Sequence, residues 1–284
     1  MDNSAVRADA KWSVPPTATG TLIQNAPVPD RPLSPYEQRR TRLSFSTAIA
    51  IAATTVLVTM VVLLLPSSPM ESVRRMVGLG SERALPAPPI EDRGGVFAFT
   101  MTQQGTDEPV GWDPCEPIRY RVNTTNEPAG GSQLIERAIA RTSAATGLVF
   151  EDDGSTDRRP FTAQFVPIGT DRPVIIGWGT ATEFPDLAGD VAGIGGGAAE
   201  EGILGHRYLV TGGVALDTDA FTVAEVTHRP RTLEAIVLHE LAHVVGLDHV
   251  NEPTELMAAI NSGQIGYGPG DREGLARLGS LPCA

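Results

Sequence analysis

The sequence has no excess of positive charge. It holds 22 lysine and arginine residues against 34 aspartate and glutamate residues, which gives a formal net charge of −12. Proteins that bind nucleic acid need a basic face against the phosphate backbone, so this balance argues against a nucleic-acid partner. An acidic surface of this kind chiefly favours solubility.

Charged residues are absent from residues 43–65, which read LSFSTAIAIAATTVLVTMVVLLL. A helix of this length is roughly 34 Å long, enough to cross the hydrocarbon core of a bilayer. A buried helix of a soluble protein rarely stays apolar on every face. No A-x-A cleavage site follows at once, and the preceding charged region is long for a signal peptide. The pattern favours an uncleaved signal anchor over a cleaved signal.

The flanks of this span predict its orientation. Residues 1–42 are polar, rich in proline and without periodicity, which indicates a disordered tail. The tail ends in EQRRTR, and because positive flanks stay in the cytoplasm, we expect a single-pass protein with a cytoplasmic N-terminus. Residues 66–94 are predicted to be an extracellular proline-rich spacer, and residues 95–284 an extracellular folded domain.

Strand and helix patterns alternate within residues 95–284. Strands are predicted at 96–101, 118–123, 148–153, 161–166, 174–180 and 207–217, the last with a glycine bulge. Helices are predicted at 132–147, with Ser132 as N-cap, at 233–245, with Thr232 as N-cap, and near 271–278. This order indicates an α/β (α+β) fold in which one sheet packs against three helices.

Three of the five histidines fall in HELAHVVGLDH, residues 239–249. His239 and His243 are four residues apart in the predicted helix, so both side chains project from one face and can share a metal ion. Zinc needs three or four ligands. Gly246 can adopt a positive φ, end the helix and turn the chain, so that His249 becomes the third ligand.

Glu240 follows the first histidine of the motif directly. It lies too far around the helix to be the next ligand, but it can reach a water molecule on the metal, which is the position of a general base. Three protein ligands leave one coordination position for that water, as is typical of catalytic zinc. The alternative is a helix whose histidines merely face solvent, and the spacing of five specified positions disfavours it.

H-E-x-x-H-x-x-G-x-x-H is the metzincin signature, which requires a methionine turn downstream. Met257, in NEPTELMAAI, can supply that turn. The residues of both motifs resemble those of the matrixins, the family of the matrix metalloproteinases and their bacterial relatives. The resemblance covers roughly residues 95–284. It implies a zinc endopeptidase acting on a peptide or protein substrate, a twisted, mostly parallel sheet with an antiparallel edge strand, and Met257 as an apolar floor beneath the imidazoles.

Several matrixin features are missing here. Ala258 and Ala259 stand where matrixins usually have Tyr-Pro, so the resemblance does not predict the residue preferred after the scissile bond. Only His206 and His228 remain for a second, structural zinc, so none is predicted, and each is expected to be a surface or core histidine. No P-R-C-G motif precedes the domain, so the sequence does not support a cysteine switch.

Two segments keep two interpretations each. Asp217 and Asp219 could bind calcium, as in the relatives, or could be solvated residues of a turn. The glycines of residues 192–197 either form a flexible loop or belong to the edge strand that, in the relatives, pairs with the substrate backbone.

Cys115 and Cys283 bracket nearly the whole predicted domain. A disulfide between them would tie its ends together and stabilise it by roughly 5 kcal/mol in the chain-entropy model. Such a bond needs an oxidising compartment, in agreement with the orientation predicted from the arginines. Two free thiols, or Cys115 as a thiol that blocks the zinc, are the alternatives.

Together these features predict a membrane-anchored, extracellular zinc endopeptidase with Glu240 as general base. A non-enzymatic, zinc-containing binding module anchored at the cell surface is the alternative, which the intact Glu240 disfavours. A third hypothesis is a secreted form, released by cleavage within residues 66–94.

Overall fold

The computed structural model describes residues 44–64, 82–162, 172–202, 205–222 and 228–283. The chain divides into two compact units, residues 1–56 and 57–284, with the boundary inside helix α1, Phe45–Leu64. The sequence predicts a membrane-crossing helix in this part of the chain. Among the residues described, however, none of the helices combines the length and the apolar character needed to span a membrane.

The second unit is built around a five-stranded sheet. Its strands are β2 (Ile118–Asn123), β3 (Phe150–Ser155), β4 (Val174–Gly179), β5 (Gly193–Glu201) and β6 (Arg207–Asp217). Their spatial order is β3-β2-β4-β6-β5, and every neighbouring pair is parallel except β5 with β6. The predicted mostly parallel sheet with an antiparallel edge strand is confirmed. β4 is buried along its whole length, as its run of apolar residues predicts.

Three helices pack with this sheet: α2 (Gly131–Thr146), α3 (Pro230–Val245) and α4 (Pro269–Gly279). Their apolar faces and the sheet share one core, whose buried side chains include Leu134, Ile135, Ile176, Leu238 and Leu241. Burying a side chain of this size contributes about 1.5–3 kcal/mol. The predicted packing of a main sheet with three helices is confirmed, although the described residues also contain a second, two-stranded sheet.

A short two-stranded pairing lies beside the histidine motif. β1 (Ala98–Phe99) pairs antiparallel with β7 (Leu247–Asp248). The strand predicted at residues 96–101 is therefore wrong in extent, because its partner offers only the two residues between Gly246 and His249.

The starts of two helices also differ from the prediction. The N-cap of α2 is Gly130, with a left-handed φ of 89°, rather than Ser132. The N-cap of α3 is Arg229 rather than Thr232. The reason is Pro230, whose restricted φ suits the first position of a helix and begins α3 earlier.

Three strand predictions need correction or fall outside the described residues. β3 begins at Phe150, not at residue 148. The irregularity between β5 and β6 lies where Ala198 and Ala199 face Thr211 and Leu209, rather than at the glycines of β6. Of the strand predicted at 161–166, residues 161–162 are not in a strand, and the rest lies outside the described residues.

The predicted disulfide between Cys115 and Cys283 is present. Their Cα atoms are 5.6 Å apart, and 168 positions of sequence separate them. The bond joins the segment before β2 to the segment after α4. Both sulfurs are in the bond, so a free or zinc-blocking Cys115 is excluded in this structure.

Candidate metal centre

The three histidines of the motif converge on one point. The Nε2 atom of His239 lies 3.0 Å from that of His249 and 3.2 Å from that of His243, and the last two are also 3.2 Å apart. Zinc–nitrogen bonds of about 2.0–2.1 Å in tetrahedral geometry require separations of about 3.3 Å between ligand nitrogens. The donor type and the spacing therefore fit a zinc ion.

Gly246 produces this convergence, as predicted. Its φ of 119° ends α3, and its N–H donates to the carbonyls of Ala242 and His243. The next two residues pair with β1, and His249 follows them. A Cβ atom at Gly246 would stand 3.2 Å from the Val110 carbonyl oxygen, so both backbone angle and space favour glycine here.

The outer ring nitrogens orient two of the imidazoles. Nδ1 of His239 donates to the Leu256 carbonyl at 2.7 Å, and Nδ1 of His243 donates to the Leu247 carbonyl at 2.8 Å. A carbonyl oxygen can only accept, so each Nε2 carries the lone pair that a metal needs. Burial lowers the pKa of His239 to about 4 and also lowers the pKa of His243, which keeps both rings neutral.

Glu240 is buried where α3 meets the edge strand β5. Only 6 % of the residue is exposed, and burial raises the pKa of its carboxyl group to about 8, a shift that a bound divalent cation would oppose. A Cβ atom at Gly193 would lie 2.9 Å from the Cγ atom of Glu240, and one at Gly195 would lie 2.4 Å from the Glu240 carbonyl oxygen. The glycines therefore allow β5 to lie directly against the helix that carries the histidines. The edge-strand interpretation of residues 192–197 is confirmed from Gly193 onward.

Met257 is buried beside the segment that orients His239. Its N–H lies 3.4 Å from Oδ1 of Asp271, while Oδ2 of Asp271 accepts from Leu256 at 2.6 Å and from Gly268 at 2.8 Å. Burial raises the pKa of Asp271 to about 6, although these backbone donors oppose the shift. Asp271 thus holds the turn whose Leu256 carbonyl orients the first imidazole.

A second buried carboxylate, Glu255, belongs to the turn and joins it to the start of α4. Glu255 is fully buried and accepts the N–H groups of Gly270 and Asp271, at 2.9 and 3.0 Å. A carboxylate from α4 therefore accepts backbone N–H groups of the turn, and a carboxylate from the turn accepts backbone N–H groups at the start of α4. Sequence reasoning missed both residues, although an acid in the first turn of α4 was a usable signal for one of them.

The remaining candidate residues lie elsewhere. The ring of His206 lies against that of Tyr208 in a tilted arrangement, and its Nε2 lies 3.1 Å from Nε2 of Gln103, while His228 is exposed. Asp217 accepts the backbone N–H groups of Asp219 and Ala220, both at 3.3 Å, which fits the turn interpretation and gives no support to calcium. After Met257, Ala258 is buried and Ala259 is exposed.

Two comparisons with known proteins point to the same family. The matrixin family profile matches residues 188–277, which include β5, β6, α3 and the turn at Met257. Matrix metalloproteinase-16 from Rattus norvegicus, Homo sapiens and Mus musculus is in each case 36% identical over 64 residues. The match covers 21% of this chain and 10% of each relative, so the chain spans about a tenth of their length. Over residues 188–277, the chain is therefore similar to the matrixin metalloproteases.

Proposed function

We propose that this protein is a zinc endopeptidase, anchored in the membrane with its folded unit outside the cell. The observation that carries the proposal is the convergence of three imidazole Nε2 atoms within 3.2 Å of one another, at a helix that also carries the buried carboxylate of Glu240. His239, His243 and His249 would hold the zinc. When bound, zinc polarises the scissile carbonyl and lowers the pKa of the attacking water.

The protein's own residues would then move the proton. Glu240 takes it from the attacking water and delivers it to the leaving amine. The burial of Glu240 supports a transfer that is sheltered from bulk water. The hydrogen bonds from the Nδ1 atoms of His239 and His243 keep the two rings fixed during the reaction.

The edge strand β5 supports an extended peptide as substrate. Within the described sheet, β5 is the terminal strand and pairs only with β6. Its other edge offers backbone donors and acceptors to an added strand. Because Gly193 and Gly195 bring β5 against Glu240, a peptide added there would pass close to the general base.

Membrane anchoring rests on the sequence of residues 43–65 and on side-chain exposure along α1. Ile49, Val56 and Leu57 are each more than half exposed, and apolar exposure of this kind indicates an apolar environment or partner. The disulfide supports an oxidising compartment for the folded unit. Membrane fractionation with protease protection tests this part, and protein found only in the medium would instead support release within residues 66–94.

The catalytic proposal is tested with Glu240→Gln in the full chain. We expect the variant to retain one zinc per chain but to lose hydrolysis of casein and of a peptide library, because the amide cannot accept the proton. Glu252→Gln, in the adjoining loop, is the matched control and should stay active. If Glu240→Gln still cleaves peptides, the general base is wrongly assigned. If the wild type binds zinc and cleaves nothing, the protein is a non-enzymatic binding module.

A further inference from the structure

Four arginines line one open groove at the start of α3. Arg137 and Arg141 come from α2, Arg231 from α3 and Arg272 from α4. The groove has a volume of about 880 Å³, and loop residues 264–268, which lead from the Met257 turn to α4, form one of its walls. We call this feature the arginine groove.

The arginine groove keeps an excess of positive charge. Its lining contains one acidic side chain, Glu234, whose carboxylate accepts from Nε of Arg137 and from Nη1 of Arg141, both at 2.7 Å. Arg231 and Arg272 are exposed and have no ion-pair partner among the described residues. Four guanidinium groups against one carboxylate leave a surplus of three charges, although the whole chain carries −12.

The helix end adds to this potential. α3 begins at Pro230 with no acidic residue in its first turn and no side-chain cap, so no residue of that turn neutralises its positive dipole end. The groove is therefore a locally positive site on an acidic protein. Acidic molecules would be repelled by most of the remaining surface and directed towards this site.

The geometry points to an acidic polypeptide segment as the occupant. The contacts of Glu234 already show that these guanidinium groups take up a carboxylate, and the planar fork of arginine matches that group. The groove is open and large enough for several side chains, which suits a segment of chain better than a single small ion.

We propose that the arginine groove binds an acidic segment of the substrate, away from the scissile bond; this rests on the proposed endopeptidase function. Along α3, Arg231 precedes His239 by eight positions, or roughly 12 Å of helix. An extended peptide rises about 3.3 Å per residue, so the acidic segment begins at least about four residues from the cleaved bond.

Binding is tested without any need for hydrolysis. A fluorescein-labelled hexaglutamate peptide is titrated with the full chain and followed by fluorescence anisotropy. We expect the double variant Arg231→Gln/Arg272→Gln to bind at least ten-fold more weakly, because both residues are exposed and have no ion-pair partner among the described residues, so that their loss removes charge from the groove. Arg119→Gln, an exposed arginine on β2 outside the groove, should bind like the wild type.

Three results overturn the inference. They are equal affinity of the double variant and the wild type, equal binding of hexaglutamine, and binding of inorganic pyrophosphate at the groove without binding of hexaglutamate. The last result would identify a site for small phosphate anions instead.

Hydrolysis then separates this inference from the proposed function. Two peptides share one cleavable sequence and differ in a tail of glutamates or glutamines that begins five residues from the cleaved bond, on either side. When the tail is on one of the two sides, we expect kcat/KM to be at least ten-fold higher for the glutamate peptide than for the glutamine peptide. In Arg231→Gln/Arg272→Gln this difference should disappear, while kcat/KM for the glutamine peptide stays unchanged. Cleavage without a tail effect overturns the groove's role in substrate binding. Hexaglutamate binding without cleavage of any peptide would defeat the proposed function and leave the groove as an acidic-peptide site.

Discussion

The contact of β5 with α3 allows a stringent test, because neighbouring glycines in this strand face different surroundings. A Cβ atom at Gly195 would lie 2.4 Å from the carbonyl oxygen of Glu240, whereas one at Gly196 would meet nothing within 4 Å. The change Gly195→Ala therefore forces β5 and α3 apart, and Gly196→Ala adds the same methyl group to open space.

The expected magnitude follows from that gap. Restoring an ordinary contact distance requires a displacement of about 1 Å, and inserting a methyl group into a close-packed contact typically costs about 1–3 kcal/mol. A displacement of this size beside the reacting groups can lower the rate about 100-fold. Gly193→Ala provides a graded case, because its Cβ would meet the side chain of Glu240, at 2.9 Å from Cγ, and a side chain can rotate away.

The assay compares the three variants in the full chain by urea denaturation, zinc content and kcat/KM on one peptide. We expect Gly195→Ala to lose both stability and activity, Gly193→Ala to lose mainly activity, and Gly196→Ala to match the wild type. Equal stability of Gly195→Ala and Gly196→Ala would refute the close approach of the strand to the helix, whatever the activities are.

Three further predictions concern the supports of the metal centre and of the folded unit. Gly246→Ala places a side chain at a φ of 119°, so we expect a loss of about 1–3 kcal/mol in unfolding free energy and weaker zinc retention, measured by denaturation and competition with a chelator. The double change of Cys115 and Cys283 to serine should lower the unfolding free energy by about 5 kcal/mol, and unchanged stability would show that the bond does not form. Burial raises the pKa of Asp271 to about 6, above its unfolded value, so the charged form is disfavoured in the fold. The stability of the wild type relative to Asp271→Asn should therefore fall, by up to about 3 kcal/mol, as the pH rises from about 4 to about 6; a flat difference would contradict the assignment.

Local sequence was sufficient for the features that depend on short-range geometry. The spacing of His239 and His243 places two imidazoles on one helix face wherever that helix lies, and Gly246 is one of the few residues that can turn the chain at once. The apolar run of β4 likewise predicted a strand, which is present, whereas the glycines of β5 left a loop and a strand open, and the structure has a strand there. Helix starts were less predictable, because Gly130 takes the N-cap position of α2 ahead of Ser132, and Pro230 begins α3 ahead of Thr232.

Contacts between distant segments could not be predicted in this way. The carboxylate of Asp271 accepts a backbone N–H from the Met257 turn, and the carboxylate of Glu255 accepts one from the start of α4, only because these two segments pack together. Neither segment has a sequence pattern from which its partner could be predicted. The arginine groove has the same origin, since its guanidinium groups come from three helices spread from Arg137 to Arg272.

The sequence alone determined which side chains form the candidate metal centre and which residue bends the chain towards it, because helical periodicity and the φ of glycine act over a few residues. The tertiary structure alone decided how the ligand rings are held, how closely β5 approaches Glu240, and where positive charge collects. Those features depend on packing and on charges brought together from distant parts of the chain. The distances in space between such residues cannot be predicted from the local sequence pattern.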